Sequence, residues 1–226
     1  MKRPNLIRAL AIGTLALGLN AAEPTADTAL KTRMTERGKN LLTDNLTTVG
    51  SNWKAGKGKW EAADTGLRGS ELKEDMHGAV IRQNVAFHNG VIQFSFRLDG
   101  TKQISLSLNG AKGHVSRVIV RPNGLVVQKD DQDGKNGPDT GKVLQTVETP
   151  IKAGEWHTLL VELNGKEILA TLDGEQIAYG EHEAIDKPIT NIGLTVAGES
   201  ASFKNLTVNE GTQSKDWEKV RGTLKK

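Results

Sequence analysis

The chain has 226 residues, of which 36% are hydrophobic and 25% charged, a composition typical of one globular domain with a substantial core. Its 30 basic and 27 acidic residues are spread along the chain without a Lys/Arg block, which argues against nucleic acid as a partner. The sequence contains no cysteine, so disulfides, thiolate catalysis and cysteine-ligated metal centres are excluded.

The first 22 residues have the order of a bacterial secretory signal peptide. Basic residues lie within "MKRPNLIR", the uncharged run "ALAIGTLALGL" follows, and small residues continue up to Ala22. The apolar run is about half of the roughly 20 residues that a membrane-spanning helix needs, so no membrane span is predicted. We therefore expect an exported protein, periplasmic or extracellular, cleaved after Ala22 or, as second choice, after Ala21. A buried N-terminal helix is the alternative.

Residues 23–39 are polar and predict a flexible segment, and we expect the fold to occupy residues 40–209. Within that range short β-rich runs such as "VIQFSFRL" and "WHTLLVEL" alternate with turn sequences such as "HNG" and "RPNG". No long helical pattern intervenes, which favours an all-β, antiparallel two-sheet sandwich over βαβ units. In the tail 210–226, Trp217, Val220 and Leu224 recur at helical spacing and predict a short C-terminal helix that docks on the sandwich.

Alternation within the strands predicts a polar outer face. The turn "LDGTK" is short enough for a hairpin, so the polar rows of 91–98 and 103–108 are expected side by side, and a third strand adds two arginines. Apolar rows at 159–163, 168–172 and 192–196 are expected to face the core. The predicted ligand-binding residues of this face are Gln93, Arg97, Gln103, Ser105, Ser107, Arg117 and Arg121. Long donors and acceptors among small serines suit a hydroxyl-rich ligand; a solvated face that binds nothing is the alternative.

The segments "PIKAGEWHTLLVELNGKEILATLDGEQIAYG" and "NIGLTVAGESASFKNLTV" resemble the C-terminal half of concanavalin A-like lectin/glucanase sandwiches. Within that superfamily the chain is most similar to bacterial secreted 3-keto-disaccharide hydrolase-like domains, whose opening motif resembles "NWKAGKGKWEAADTGLRGSE". The resemblance covers 40–209 and implies a jelly-roll sandwich with a carbohydrate-related role. It reports function poorly, because the jelly roll hosts lectins, glycosidases and inert spacers alike.

Departures from these families bear on catalysis. The region "TKQISLSLNGAKGHVSRVIVRPNG" lacks the "N-S-G" type turn and the Y-E-x-Q-x-x-D-like segment of the hydrolase-like members. The whole sequence also contains no E-x-D-x-E strand, which in laminarinase-like glycosidases places the acid and the nucleophile on one face. Catalysis by two carboxylates is therefore disfavoured.

If the protein is an enzyme, its general acid/base candidates are His77 and His114, which precede strands and can lie at a loop-built rim. Asp173 is a further weak candidate, although its place in "LDGE" is explained by a turn. His157 begins an apolar strand and is expected to be structural. The five histidines show no metal-binding spacing, and no G-x-S-x-G is present.

No cofactor is predicted, and calcium is left open. The stretch "KDDQDGKNGPD" offers Asp131, Asp133 and Asp139 as oxygen ligands for a hard cation. Alignment to an EF-hand loop fails, because Lys129 takes the first ligand position and Thr140 that of the bidentate glutamate. A calcium loop of another type and a flexible acidic excursion fit these residues equally well.

Trp53 and Trp60 are the candidates for stacking on a sugar ring, whereas Trp156 is expected in the core. Three functions fit these observations. The first is a non-catalytic glycan-binding or accessory module, and the second is a divergent glycoside hydrolase or lyase of the 3-keto-disaccharide hydrolase-like type. The third is an envelope structural protein whose polar face binds nothing.

Overall fold

The computed structural model describes residues 29–63, 66–134 and 136–224, so the predicted signal peptide lies outside the described residues. The strands of this part are β1 (Thr35–Asp44), β2 (Trp53–Lys57), β3 (Lys59–Ala63), β4 (Gly66–Ser70), β5 (Ala79–Phe87), β6 (Gly90–Leu98), β7 (Thr101–Gly110), β8 (Gly113–Arg121), β9 (Gly124–Lys129), β10 (Lys142–Glu148), β11 (Trp156–Asn164), β12 (Glu167–Leu172), β13 (Gln176–Glu181), β14 (Ile189–Gly198) and β15 (Ser200–Gln213). Its α-helix is α1 (Trp217–Leu224), and 3-10 turns span Lys73–Asp75 and Glu183–Ile185. None of these helices is long and apolar enough to cross a membrane.

Two antiparallel sheets form the sandwich. The eight-stranded sheet has the order β13-β12-β11-β6-β15-β4-β3, with β1 added along the C-terminal half of β15. The seven-stranded sheet has the order β10-β9-β8-β7-β14-β5-β2. The predicted all-β sandwich and its short C-terminal helix are confirmed. Strand β1 begins at Thr35, inside the segment predicted to be flexible, and β15 runs to Gln213, so strands extend past both predicted boundaries.

The core lies between the sheets and follows the period-two pattern of the strands. The three predicted inward rows, at 159–163, 168–172 and 192–196, are buried as expected. Phe94 and Phe203 extend this core, with ring centroids 6.1 Å apart. The alternation therefore assigns each side chain to the inside or the outside correctly over most of the chain.

The predicted hairpin at "LDGTK" is wrong. Strand β6 pairs with β11 and β15 in the eight-stranded sheet, whereas β7 pairs with β8 and β14 in the seven-stranded sheet. Residues 99–100 therefore carry the chain from one sheet to the other. Another crossing, between β14 and β15, lies beside this one, because the Asp99 N–H donates to the Ser200 carbonyl at 3.0 Å and the Thr101 hydroxyl to the Ala197 carbonyl at 2.7 Å. A short glycine turn serves a sheet-to-sheet crossing as well as a hairpin, so the turn sequence does not distinguish them.

Both chain ends of the described region pack on the outer face of the eight-stranded sheet, which we call the closed face. Met34, Leu169 and Trp217 are fully buried there and form a second, smaller apolar cluster with side chains of α1 and β13. Beneath the N-terminal segment, Glu162 is fully buried and its carboxylate accepts the backbone N–H groups of residues 33–35. The outer face of the seven-stranded sheet has no such cover from α1, and we call it the open face.

Candidate functional site

The structure divides the predicted ligand-binding residues between the two outer faces. Gln93 and Arg97 lie on β6 and therefore on the closed face. The Gln93 side-chain oxygen accepts the Leu30 N–H at 2.9 Å and an Arg37 guanidinium N–H at 2.8 Å. Arg97 donates to Asp99 at 2.7 Å. Both side chains thus hold the protein's own segments in place. The other five residues, Gln103, Ser105, Ser107, Arg117 and Arg121, lie together on β7 and β8 of the open face.

Register aligns the open face into a straight row across six strands. Cross-strand pairing places the following residues in one line, in the order of the strands from β2 to β9: Lys54, Arg82, Gly193, Ser107, Arg117 and Gln128. Cross-strand neighbours on one face of a sheet have Cβ atoms about 5 Å apart, so these side chains form a continuous surface. Gly193 and Ser107, in the middle of the row, have small side chains. Arg82 and Arg117, next to them on either side, have long cationic side chains.

The small residues in the middle of this row are closely packed. A Cβ atom at residue 193 would lie 2.5 Å from the Ser107 hydroxyl oxygen, so a larger residue would require that hydroxyl to rotate away. Ser105 and Ser107 are 5% and 3% exposed, because taller side chains on both sides shield them from solvent. The strip over β14 and β7 thus carries small side chains, with Arg82 on one side and Arg117 on the other, and we call the strip formed by Gly193, Thr195, Ser105 and Ser107 the trough.

The cations of the open face differ in their partners. The Arg117 Nε lies 3.3 Å from the Asp130 carboxylate, although neither of these two buried atoms makes a hydrogen bond in the described chain. Arg121 donates to the Gln103 side-chain oxygen at 3.2 Å. Lys54 and Arg82 are exposed and form no ion pair with any described residue.

His114 lies at one end of the open face, in a fixed tautomer. Its Nδ1 is 2.5 Å from Asn109 Oδ1, and Asn109 in turn donates its amide N–H to Asn191 Oδ1 at 2.8 Å. Because Asn109 Oδ1 can only accept, Nδ1 carries the proton and Nε2 is left with its lone pair. No described residue makes a hydrogen bond to Nε2. The sequence therefore yields an oriented imidazole with an unused basic nitrogen.

The surroundings of His114 favour its neutral form. Burial lowers the pKa of His114 first, and the positive charge of Arg117 lowers it further; Asp130 acts in the opposite direction and Arg82 adds a smaller lowering. A cleft of about 260 Å³ opens next to the ring, lined by Lys112, Gln132, Lys187, Pro188 and Thr190 among others. A neutral imidazole beside a cleft can accept a proton from a bound molecule.

The other two acid/base candidates lie elsewhere. His77 is exposed after the turn Lys73–Asp75, and its Nδ1 contacts the carbonyl of Gly78 at 2.7 Å. Asp173 lies in the turn between β12 and β13, in the other sheet, where it accepts the Thr158 N–H at 2.7 Å and pairs with His157 Nδ1 at 2.8 Å. The second His157 nitrogen contacts the Lys152 carbonyl, so this ring has no free base, in keeping with the structural role expected of it.

The predicted sugar-stacking tryptophans do not lie on the open face. Trp53 is 5% exposed and lies in the core, where its indole N–H donates to Asp44. Trp60 packs on Phe203, with ring centroids 6.0 Å apart. Trp156, expected in the core, is instead half-buried on the closed face, with the Lys204 ammonium 4.1 Å from its ring centroid. Trp53 is therefore too buried to stack on a sugar, whereas stacking by the partly exposed Trp60 stays a prediction. The expectation that Trp156 lies in the core is wrong, because alternation from the inward Leu159 places residue 156 on the outside.

The acidic loop brings its three predicted calcium ligands together. One carboxylate oxygen each of Asp131, Asp133 and Asp139 lie within 4.8 Å of one another. Contacts within the protein already account for this clustering: Asp131 accepts the Gly134 N–H at 2.8 Å, and Asp139 pairs with the ammonium of the buried Lys129. Calcium binding by this loop stays a prediction.

The site also contains residues that the sequence alone does not single out, namely Arg82, Asn109, Asn191 and Gln128. Arg82 and Gln128 occupy outward positions of β5 and β9, and the alternation of polar and apolar residues in the sequence could have predicted those positions. The alternation does not predict the strand order, and it is this order that places β5 and β9 on the two sides of β14, β7 and β8.

Residues 39–209 match the model of the 3-keto-alpha-glucoside-1,2-lyase-like domain, and the chain belongs to this family. The predicted concanavalin A-like, 3-keto-disaccharide hydrolase-like resemblance is thereby confirmed. No curated protein matches the chain.

Solved structures with the same sandwich are distant in sequence. A Bacillus subtilis protein of unknown function with a galectin-like fold has a TM-score of 0.60 at 12% identity, covering 80% of this chain and 100% of its own. The carbohydrate-binding module CBM66 from Bacillus subtilis has a TM-score of 0.59 at 17% identity, covering 70% and 96%. A Bacillus licheniformis beta-glucanase has a TM-score of 0.55 at 10% identity, covering 77% and 99%. At these identities the likeness establishes the jelly-roll fold.

Proposed function

We propose that the open face binds a saccharide, as a glycan-binding or accessory domain would. The observation that carries this proposal is the trough floored by Gly193 and Ser107, with guanidinium groups on both sides. Hydroxyl, amide and guanidinium groups can each exchange hydrogen bonds with sugar hydroxyls. Membership of a carbohydrate-active family and the fold of a carbohydrate-binding module support the same reading.

A glycan array and calorimetry test the proposal with a matched pair of variants. Thr195 and Thr207 are half-buried threonines that point outward, the first on the open face and the second on the closed face. Thr195→Trp fills the trough and is expected to weaken binding of array-identified saccharides at least about tenfold. Thr207→Trp is expected to leave binding unchanged. Equal losses in both variants would count against the open face, and silence on every saccharide would favour the envelope structural alternative.

Catalysis is the second candidate function, and the tautomer of His114 favours it. A 3-oxo-glycoside has an acidic proton at C2, next to its carbonyl. In a 1,2-elimination His114 Nε2 takes that proton, the C1–O bond to the leaving group breaks, and a C1=C2 double bond forms. The departing oxygen takes up a proton from water. Asn109 acts as a positioning residue, because it holds the ring with Nε2 unprotonated.

Product chromatography of a 3-oxo-disaccharide tests the elimination. We expect turnover that rises with pH as His114 loses its proton, at a pH below that of an ordinary histidine because its pKa is lowered. His114→Gln should abolish turnover while keeping saccharide binding, and the exposed His88 provides a matched control, His88→Gln. Binding without turnover in the unmodified protein would leave the glycan-binding module as the function.

We also propose that the chain is exported through the signal peptide expected at residues 1–22. N-terminal sequencing of the protein from the periplasmic fraction should begin at Glu23, or at Ala22 for the second-choice site. An intact Met1 in that fraction would contradict cleavage.

A further inference from the structure

The charges of the open face are not balanced. In the row from Lys54 to Gln128 every side chain is neutral or basic, and three of the six residues are cationic. Asp130 approaches Arg117 from the end of β9. Lys54, Arg82 and Arg121 have no carboxylate within 4 Å among the described residues. Glu148 lies on the edge strand β10, at the far end of the Arg121 row.

The arrangement of Arg82 and Arg117 across one row differs from that of the basic residues that have a glutamate beside them. Lys59, Lys152 and Lys166, on other surfaces, each pair with a neighbouring glutamate. Arg82 and Arg117 instead stand on strands separated by β14 and β7, which amounts to about 14 Å at the usual strand spacing. Both side chains are long enough to lean over the small floor between them. Like charges held on two sides of a trough repel each other unless an anion lies between them.

Part of the Arg117 guanidinium is exposed and available to bind a ligand. The Arg117 side chain is 30% exposed, and its ion pair among the described residues runs through the buried Nε, 3.3 Å from the Asp130 carboxylate, which leaves the exposed part of the guanidinium to a ligand. Guanidinium groups bind carboxylates through paired N–H donors, a geometry that a single neutral hydroxyl cannot use fully. The lowered pKa of His114, to which Arg117 and Arg82 both contribute, is consistent with a positive potential over this face.

Stacking on aromatic rings, a common way to hold neutral sugars, is not available here. All nine aromatic residues of the chain fall within the described residues, and none of them lies on the open face. Trp53 and the four phenylalanines are in the core, and the other four aromatic side chains belong to the eight-stranded sheet or its cover. Recognition at the open face therefore depends on polar and charged groups.

We infer that the saccharide bound by the open face carries a carboxylate, as a uronic acid residue does, and that Arg82 and Arg117 bind that group. This inference rests on the proposed saccharide binding and adds the chemical class of the ligand.

Calorimetry with paired ligands tests it on the purified full chain. The probes are oligosaccharides of galacturonate, glucuronate and mannuronate, each as the acid and as its methyl ester, which removes the charge and keeps the sugar chain. We expect at least one acid to bind about tenfold or more tightly than its ester, with affinity falling as salt rises. Arg82→Gln and Arg117→Gln should each weaken the acid about tenfold and change binding of the ester little.

Lys39→Gln is the matched control, because Lys39 is an exposed cation on β1 of the other sheet. An equal loss in Lys39→Gln and Arg82→Gln would mean unspecific charge attraction and would overturn the inference. Acid and ester bound equally, or neutral array saccharides bound while no uronate is, would overturn the charge requirement and leave saccharide binding intact. Failure of every saccharide, neutral or acidic, would overturn both proposals.

Discussion

The two outer faces of the sandwich start from the same kind of sequence and end in opposite environments. Both are built from strands that alternate apolar and polar residues. On the closed face, Gln93 and Glu162 accept hydrogen bonds from the N-terminal segment, and the buried Trp217 packs against Leu169 of the sheet. On the open face, Arg82 and Lys54 point into solvent without a partner among the described residues. A polar row in a strand thus marks an outer face, while the rest of the chain decides whether that face is covered.

The largest effect is expected from uncovering the closed face. Trp217 is fully buried between α1 and the sheet, and its indole N–H donates to the buried Glu167 at 2.9 Å. Trp217→Ala should lower the free energy of unfolding by about 3–5 kcal/mol, measured by urea denaturation. The half-buried Trp156 is the control, with an expected loss of about 1 kcal/mol for Trp156→Ala. Equal losses would contradict the closed face as a second core.

A smaller loss is expected from the carboxylate under the N-terminal segment. Glu162→Gln keeps one acceptor and adds an amide donor that faces the N–H groups of residues 33–35. We expect a loss of about 2 kcal/mol in unfolding free energy, together with faster hydrogen exchange at those amides. Glu155→Gln, at an exposed ion pair, should change neither quantity measurably. Unchanged exchange at residues 33–35 would show that Glu162 does not hold the segment.

The His157–Asp173 pair predicts a dependence of stability on pH. The hydrogen bond that His157 Nδ1–H donates to the Asp173 carboxylate is the main reason that the pKa of His157 is raised from its ordinary 6.5. The pair therefore stabilises the fold fully below pH 6.5, and this stabilisation is lost as pH rises through the folded-state pKa. Asp173→Asn should cost up to about 1 kcal/mol at pH 6 and less at pH 8. A pH-independent difference would refute the ionic contribution. Asparagine tolerates the left-handed backbone of residue 173, where φ is 51°, so strain does not confound the test.

The smallest effects are expected from variants of charged residues on the open face, and they are measured as changes in the pKa of His114. Arg117→Gln removes a positive charge that disfavours the imidazolium, so the pKa of His114 should rise, and Arg82→Gln should raise it by less. Asp130→Asn removes a charge that favours the imidazolium and should lower the pKa further. Side-chain NMR titration measures all three. A shift of the opposite sign in Arg117→Gln would refute the electrostatic coupling along the row.

Part of the candidate site follows from the sequence. Five of the seven residues predicted for the polar face share the open face, because β7, with Gln103, Ser105 and Ser107, and β8, with Arg117 and Arg121, are joined by a true hairpin. Gln93 and Arg97 were grouped with them only through the turn "LDGTK", which crosses between sheets instead. Arg82 belongs to the site but lies far from it along the chain, so no local pattern connects it to Arg117.

The sequence by itself determined which side chains face the core, since a strand's two sides alternate with every residue. It also determined the fold family, because the turn and strand motifs of residues 40–209 suffice for that. Tertiary structure decided the rest. It set which strands are neighbours, as in the row from Lys54 to Gln128, and it placed residues 30–35 and α1 on the outer face of one sheet and not of the other. Strand pairing between distant segments depends on how the whole core packs, and short-range periodicity carries no information about that choice.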